Sequence, residues 1–261
     1  MKLYTKETLI EELLKIKARG WIAGSRPDNA GSIGNTLEDL LGIQENNLPI
    51  PNAAEWELKA HRVDSNSLVT LFHMEPSPRA LRFVPAVLLP QYGWSHQKAG
   101  ERYAFTEMSF RQTITGATHS DRGFKVSIDR SENKVLISFN PDAVNSRHDL
   151  WLADVAGRVG LHELDPQPYW GFEDLRNKAG TKLLNSFFVR AERKLEAGKE
   201  YFRYSSIMIL QGFKFAGLLD GLENGHVFVD IDARTGHNHG TKFRIKPAKL
   251  PLLYAHQQII A

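Results

Sequence analysis

The chain has 261 residues, enough for one large domain or two lobes with a sizeable core, and its 42% apolar and 24% charged residues are ordinary for a globular protein. It has no cysteine, which excludes disulfides and thiolate metal sites and leaves oxygen or imidazole as the only metal ligands. No apolar run approaches the ~18 to 20 residues of a membrane helix, and the N-terminus runs into an amphipathic pattern rather than a signal peptide, so no membrane partner and a cytoplasmic location are expected. Net charge is only +3, but its distribution is uneven: after Asp232 there is no Asp or Glu, while Arg234, Lys242, Arg244, Lys246 and Lys249 follow. Such a region attracts a polyanion, or is simply a basic surface.

The first expected element is a helix over 6–18, with Thr5 as N-cap, an apolar stripe of Leu9, Ile10, Leu13, Leu14 and Ile16, and Gly20 as its end. A Gly-, Pro- and Asn-rich loop over 24–34 carries Arg26. A short helix is expected over 36–41, capped by Asn35, with Glu38 at its third position and Gly42 as the stop. Strands are expected near 53–61 and 67–73, an irregular stretch over 75–105, and a strand pair at 124–129 and 134–139. Residues 140–170 read as irregular. Then come a helix over 172–183, strands over 186–192 and 201–210, and a helix over 212–223 ended by Asn224-Gly225. A strand follows over 227–232, then a loop over 235–240 and a strand around Lys242-Phe243-Arg244. A short helix after Pro247 closes the chain. Helices and strands alternate without repeats, so the fold class is mixed α/β or α+β around a central sheet.

Residues 52–62 read Asn-Ala-Ala-Glu-Trp-Glu-Leu-Lys-Ala-His-Arg. On a strand, Glu55, Glu57, Lys59 and His61 share one side, and Trp56, Leu58 and Ala60 the other. Carboxylates beside an ammonium suit metal-dependent phosphodiester hydrolysis, which needs an activated water, charge stabilisation at phosphorus and help for the leaving oxygen. Glu57 is the first candidate ligand for Mg²⁺, the Leu58 carbonyl a second, and Lys59 the group that offsets transition-state charge. Taken alone, Glu-x-Lys occurs often by chance and on an exposed strand is usually a solvated charge pair.

Several blocks carry a resemblance along nearly the whole chain: Gly34-Asn-Thr-Leu-Glu38-Asp-Leu-Leu-Gly42-Ile-Gln-Glu-Asn-Asn47, then Asn52 to Lys59, then Leu68-Val-Thr-Leu-Phe-His73. Gln112-Thr-Ile-Thr-Gly116, Glu223-Asn-Gly225 with Val229-Asp230, and His237-Asn-His239-Gly240-Thr-Lys-Phe-Arg244-Ile continue it. Together they resemble the MvaI/BcnI family of type II restriction endonucleases, related in fold to the mismatch-repair nicking enzyme MutH. The resemblance implies a single endonuclease domain over 1–261 with a PD-(D/E)xK core, a central mixed sheet and two lobes forming a DNA cleft. It also implies a monomer that uses Mg²⁺ and cuts double-stranded DNA one strand at a time at short CC-N-GG-like sites, with a cognate DNA methyltransferase in the host. The family pattern is an Asp, four residues, Glu-x-Lys, and an upstream helical Glu, which carries over to Glu57, Lys59 and Glu38.

At the Asp position this chain has Asn52. An amide oxygen can bind a cation but brings no charge, so affinity should fall. Either Glu55 serves in its place, or cleavage is weakened or lost. A sequence-specific DNA-binding protein that does not cut, and a strand-nicking repair enzyme, are the competing readings. The resemblance also brings His73 on one side, and His237 and His239 on the other, to the central base pairs from opposite lobes, with His73 favouring a central G·C pair. Arg26, Arg111, Arg122, Lys125, Lys242 and Arg244 are the candidate phosphate or groove contacts. His237-x-His239 alone offers too few ligands for a structural zinc.

Overall fold

The computed structural model describes residues 4–26, 31–43 and 55–261. It opens with α1 (Lys6–Ala18), β1 (Ile22–Ala23), α2 (Ser32–Leu41), β2 (Trp56–Arg62) and β3 (Val69–His73). After two short helical turns come α3 (Leu89–Tyr92), β4 (Trp94–Ser95), β5 (Met108–Ile114), β6 (Arg122–Asp129), β7 (Lys134–Val144) and α4 (Asp149–Val159). The rest is β8 (Tyr169–Gly171), α5 (Phe172–Leu183), β9 (Asn185–Glu196), β10 (Lys199–Phe213), α6 (Phe215–Glu223), β11 (Val227–Arg234) and β12 (His237–Ile245). A 3₁₀ segment, Pro247–Leu253, leads into β13 (Tyr254–Ile259). The chain divides into two compact units, one of residues 1–69, 177–217 and 246–261, the other of 70–176 and 218–245.

The first unit is built on a mixed sheet in the order β1-β10-β9-β2, with β13 also on β10. β9 and β10 are antiparallel, whereas β2 runs parallel to β9. One face carries the core: Trp56 and Leu58 of β2 with Phe187, Val189, Phe202 and Ile209. α1 adds Leu9, Leu13 and Ile16, and α2 adds Ile33, Leu37 and Leu41. The Tyr204 hydroxyl donates to the Ile33 carbonyl (2.8 Å) and ties the start of α2 to the sheet, while the Tyr4 hydroxyl donates to the Leu41 carbonyl and ties its end to the segment before α1. The α1 cap is reciprocal: Thr5 accepts from the Thr8 amide (3.2 Å) and its own amide donates to the Thr8 hydroxyl (2.9 Å).

The second unit holds two sheets, β3-β12-β11-β5-β4 and the antiparallel β6-β7-β8. Its core is aromatic. Phe124 lies 5.3 Å from Phe110 and 5.2 Å from Phe139 between ring centres, and Phe72 stacks on Phe243 at 4.8 Å. The buried indoles of Trp151 and Trp170 donate to the carbonyls of Tyr92 and Met74.

Several expectations are corrected. α2 begins at Ser32, so Asn35 is inside the helix and the backbone before it, at Gly31, has no side-chain cap; the Gly-rich composition hid the turn made by Ser32 and Ile33, both buried. β2 begins at Trp56, leaving Glu55 exposed in the turn before it. Residues 140–170 contain α4, which buries only Trp151 and Val155 and so shows little periodicity. β5 and the closing strand β13 are additional elements, and His237 and His239 lie on β12 rather than in a loop.

Because Phe187 is fully buried between α2, β2 and β10 in the first unit's core, Phe187→Ala should destabilise that unit by about 3 to 5 kcal/mol. Urea unfolding followed by circular dichroism checks this, and an unchanged midpoint would contradict the packing.

Candidate active site

On β2 the side chains opposite the core are Glu57, Lys59 and His61, aligned in parallel register with Ser186, Phe188 and Arg190 of β9. The alternation matches the sequence reading, but its consequence differs. The polar face is covered as well, and Glu57 is only 2% exposed. That removes the solvated-pair reading, since a carboxylate this deep requires compensating charge.

The compensation comes from two sides. Lys59 Nζ, two residues along the same strand, lies 2.7 Å from Glu57 Oε1. Lys182 Nζ, from the last turn of α5, lies 2.9 Å from Glu57 Oε2. Both lysines are largely covered. The contact at Oε2 has the distance of an ion pair but not the angles of a hydrogen bond, so that buried oxygen keeps an unspent lone pair. Beside it the Tyr254 and Ser186 hydroxyls share a hydrogen bond of 2.7 Å. Burial pushes the Tyr254 phenol above its usual range; the Ser186 bond pulls it back and the Glu57 charge pushes it further up. Tyr254 is therefore a neutral hydrogen-bonding group at the floor of the site. His61 is turned to the next loop, its Nε2 2.8 Å from the Ser67 carbonyl oxygen.

Lys182, Ser186 and Tyr254 escaped the sequence reading. A single Lys in a helix has no signature that marks it as part of a site. Asn52 lies outside the described residues. Glu38 is half-buried on α2, whose Leu37 and Leu41 pack on the Trp56–Leu58 side of the sheet, opposite the Glu57 side. The Leu58 side chain belongs to that core. Glu57 suits a hard divalent cation as one ligand, being buried and carrying an oxygen with a lone pair to give. Among the described residues no group of three or more Asp, Glu or His side chains gathers as a metal cluster.

The candidate DNA-contacting residues fall mostly in the second unit. His73 ends β3, which is the neighbour of β12 and not of β2. His73, His237 and His239 therefore share one sheet of one unit, and the expectation of opposite lobes is corrected. His237 and His239 are exposed, two apart on β12, with ring centres 4.2 Å apart. His239 lines a cavity of about 340 Å³ with Arg111, Asp232 and Arg234. Arg111 is 72% exposed, with Nε 3.8 Å from Asp232. Arg244 is bound to the buried Asp230 (2.9 Å), which also accepts from Thr113 (2.9 Å), and Lys242 stands opposite Asp230 on the paired strand. Arg122 is a packing residue: its guanidinium lies 3.9 Å over the Trp94 ring, and burial lowers its pKa. Lys125 is half-buried on β6. In the first unit, Arg26 grips Asp39 (2.8 Å).

A model of the MvaI/BcnI restriction endonuclease family matches residues 10–254. The chain belongs to the MvaI/BcnI restriction endonuclease family. It is similar to the solved structure of the restriction endonuclease MvaI–cognate DNA substrate complex, at 26% identity and a TM-score of 0.79 over 99% of this chain and 100% of that one. It is also similar to restriction endonuclease MvaI in the absence of DNA, at 25% identity and a TM-score of 0.54 over the full length of both. No curated protein sequence matches it. The mixed sheet bearing Glu57-x-Lys59 is thus a restriction-endonuclease-like core, and the family is one of site-specific nucleases.

The Arg26 and Ser25 hydrogen bonds hold the Asp39 carboxyl below its usual value. Arg26→Ala should therefore raise the Asp39 pKa toward the ordinary aspartate range in an NMR titration; an unmoved titration would show that the pair does not persist in solution.

Proposed function

We propose that the protein is a monomeric type II restriction endonuclease that hydrolyses phosphodiester bonds at a short GC-rich, CC-N-GG-like duplex site, one strand at a time. The observation that carries this reading is the burial of Glu57 against Lys59 on the β2 face of a family-matched core. The solved relative with a TM-score of 0.79 is a complex with cognate DNA, which supports double-stranded DNA as the substrate. A cognate DNA methyltransferase protecting host sites belongs to the same reading.

Mg²⁺ supplies an activated water and positive charge for the phosphoryl oxygens in such chemistry. Glu57 and the Leu58 carbonyl are the described groups assigned to hold it, with the Asn52 amide as the third and Glu55 as a flanking carboxylate. Lys59 keeps its ammonium beside the reacting phosphate and offsets charge in the pentacovalent transition state. Tyr254 and Ser186, hydrogen-bonded to each other, lie beside Glu57. His73, His237 and His239, projecting from β3 and β12, are assigned to base edges, with His73 reading a central G·C pair. Arg26, Arg111 and Lys242 are assigned to phosphates, which contribute affinity without sequence information.

Asn52 favours a second reading, a site-specific DNA-binding protein that cuts weakly or not at all. The amide removes one negative charge from a site where the described groups already hold two ammonium groups against one carboxylate.

Plasmid cleavage with Mg²⁺ separates these readings. Asn52→Asp should lower the Mg²⁺ concentration needed for cutting by about 10³-fold or more, the scale of the ~4 kcal/mol between two unit charges ~4 Å apart at an effective dielectric constant near 20. In that background Glu57→Ala should abolish cutting while a CC-N-GG duplex is still retarded in a gel. Cutting that survives Glu57→Ala would remove the catalytic assignment.

A further inference from the structure

We propose that a cavity on the Glu57 side of the first unit's sheet binds one nucleotide unit, its base in an apolar pocket and its phosphate at Arg190. The choice of a nucleotide rests on the nuclease reading given above. The cavity holds about 580 Å³, within the range of small-molecule sites. Strand register sets its place: Lys59 of β2 stands level with Phe188 of β9, and Phe188 with Met208 of β10. Phe188 and Met208 line the cavity, as does His61, the next residue after Lys59 on the same strand face. Neighbouring strands lie ~4.8 Å apart. The pocket therefore begins beside the ammonium assigned to the reacting phosphate, within reach of an adjoining nucleotide.

The lining is of two kinds. Phe188, Met208, Pro247 and Pro251 give an apolar interior that suits the flat face of a base. Proline fixes φ, and both prolines lie in the one 3₁₀ segment, so this wall is preformed. Another wall, at Leu68, follows the loop that His61 holds through Nε2, 2.8 Å from the Ser67 carbonyl oxygen. The rim is basic. Arg190 and Lys246 are exposed there, and among the described residues no Asp or Glu lines the cavity. Arg190 gives one N–H to the Val63 carbonyl at 3.4 Å. A guanidinium has five, in a fork that matches a phosphate, so it can hold one at the same time. An apolar interior under a positive rim complements a base carrying a phosphate; it fits neither a plain hydrocarbon nor a cation.

Thymidine 5′-monophosphate, titrated without metal into the full-length protein, tests this through NMR of the ¹³C-labelled methyl groups of its four methionines. The Met208 signal should shift and saturate, while those of Met74 and Met108, in the second unit, stay in place. Arg190→Ala should weaken the fitted affinity roughly tenfold or more, the scale of a charged hydrogen bond. Ala248→Trp, at an exposed position that lines the cavity, should remove the shift. Inorganic phosphate alone should leave the signal unmoved. A Met208 signal indifferent to the nucleotide, a shift that either variant leaves unchanged, or an equal shift with phosphate alone overturns the proposal. Where a CC-N-GG duplex moves the same signal and displaces the nucleotide, the occupant is a unit of the bound strand. Where the nucleotide binds and the duplex leaves the signal in place, it is a free nucleotide. The readout needs neither metal nor cleavage, so a failure here leaves the Glu57 assignment standing, and a failure of that assignment leaves this result unmoved.

Discussion

A carboxylate cannot be buried in a sheet without its charge being answered, and Glu57 is where this chain meets that constraint. The answer is assembled from two parts of the sequence that are more than a hundred residues apart: β2 supplies Glu57 and Lys59, and the end of α5 supplies Lys182. The parallel pairing of β2 with β9 sets the row Glu57–Ser186, and β13 brings Tyr254 onto Ser186. On the opposite face, Trp56 and Leu58 lock the same strand into the apolar core. One strand therefore serves two ends: its odd positions hold charge in a covered site, and its even positions pin that site to the sheet. A one-residue slip of β2 would exchange the two faces, so the core enforces the register that sets Glu57 beside Lys59 on the covered face.

The second unit shows a different use of sheet geometry. β12 is bonded to β3 on one side and to β11 on the other, which places His73, His237 and His239 on adjacent strands of one sheet. The charged residues along β12 are less uniform than their sequence suggests. Arg244 is spent on Asp230 within the sheet, while Arg111 on β5 stays largely exposed. Arg122 is drawn into the aromatic core by Trp94 and Trp151. A basic composition thus divides into structural cations and presented ones only when the strand pairing is known.

Much of the fold was legible in the sequence where short-range patterns decide it. α1 matched from its Thr5 cap to its last residue, because stripe and cap agree. α5, β2 and the hairpin of β6 and β7 were likewise set by periodicity and turn residues, with Asn133 adopting positive φ in the turn. The misses are of two kinds. α4 buries too little to look like a helix, and β13 carries a largely exposed, polar run that gives no apolar alternation to read. Long-range pairing was the other gap. Glu57 and Lys59 are visible as a motif because two strand residues share a face, but Lys182 joins them only through tertiary packing. The family blocks supplied the fold and the activity class; the local geometry supplied the second lysine.

The central claim is that Glu57, buried between two ammonium groups, is the metal-binding carboxylate of a nuclease. The most direct measurement is an anomalous-difference map from crystals of the protein with a CC-N-GG duplex grown in Mn²⁺. Glu57 as the metal ligand predicts a peak within bonding distance of one of its oxygens, with Lys59 still beside it. A map with no peak at Glu57, or with its only peak between His237 and His239, would contradict it.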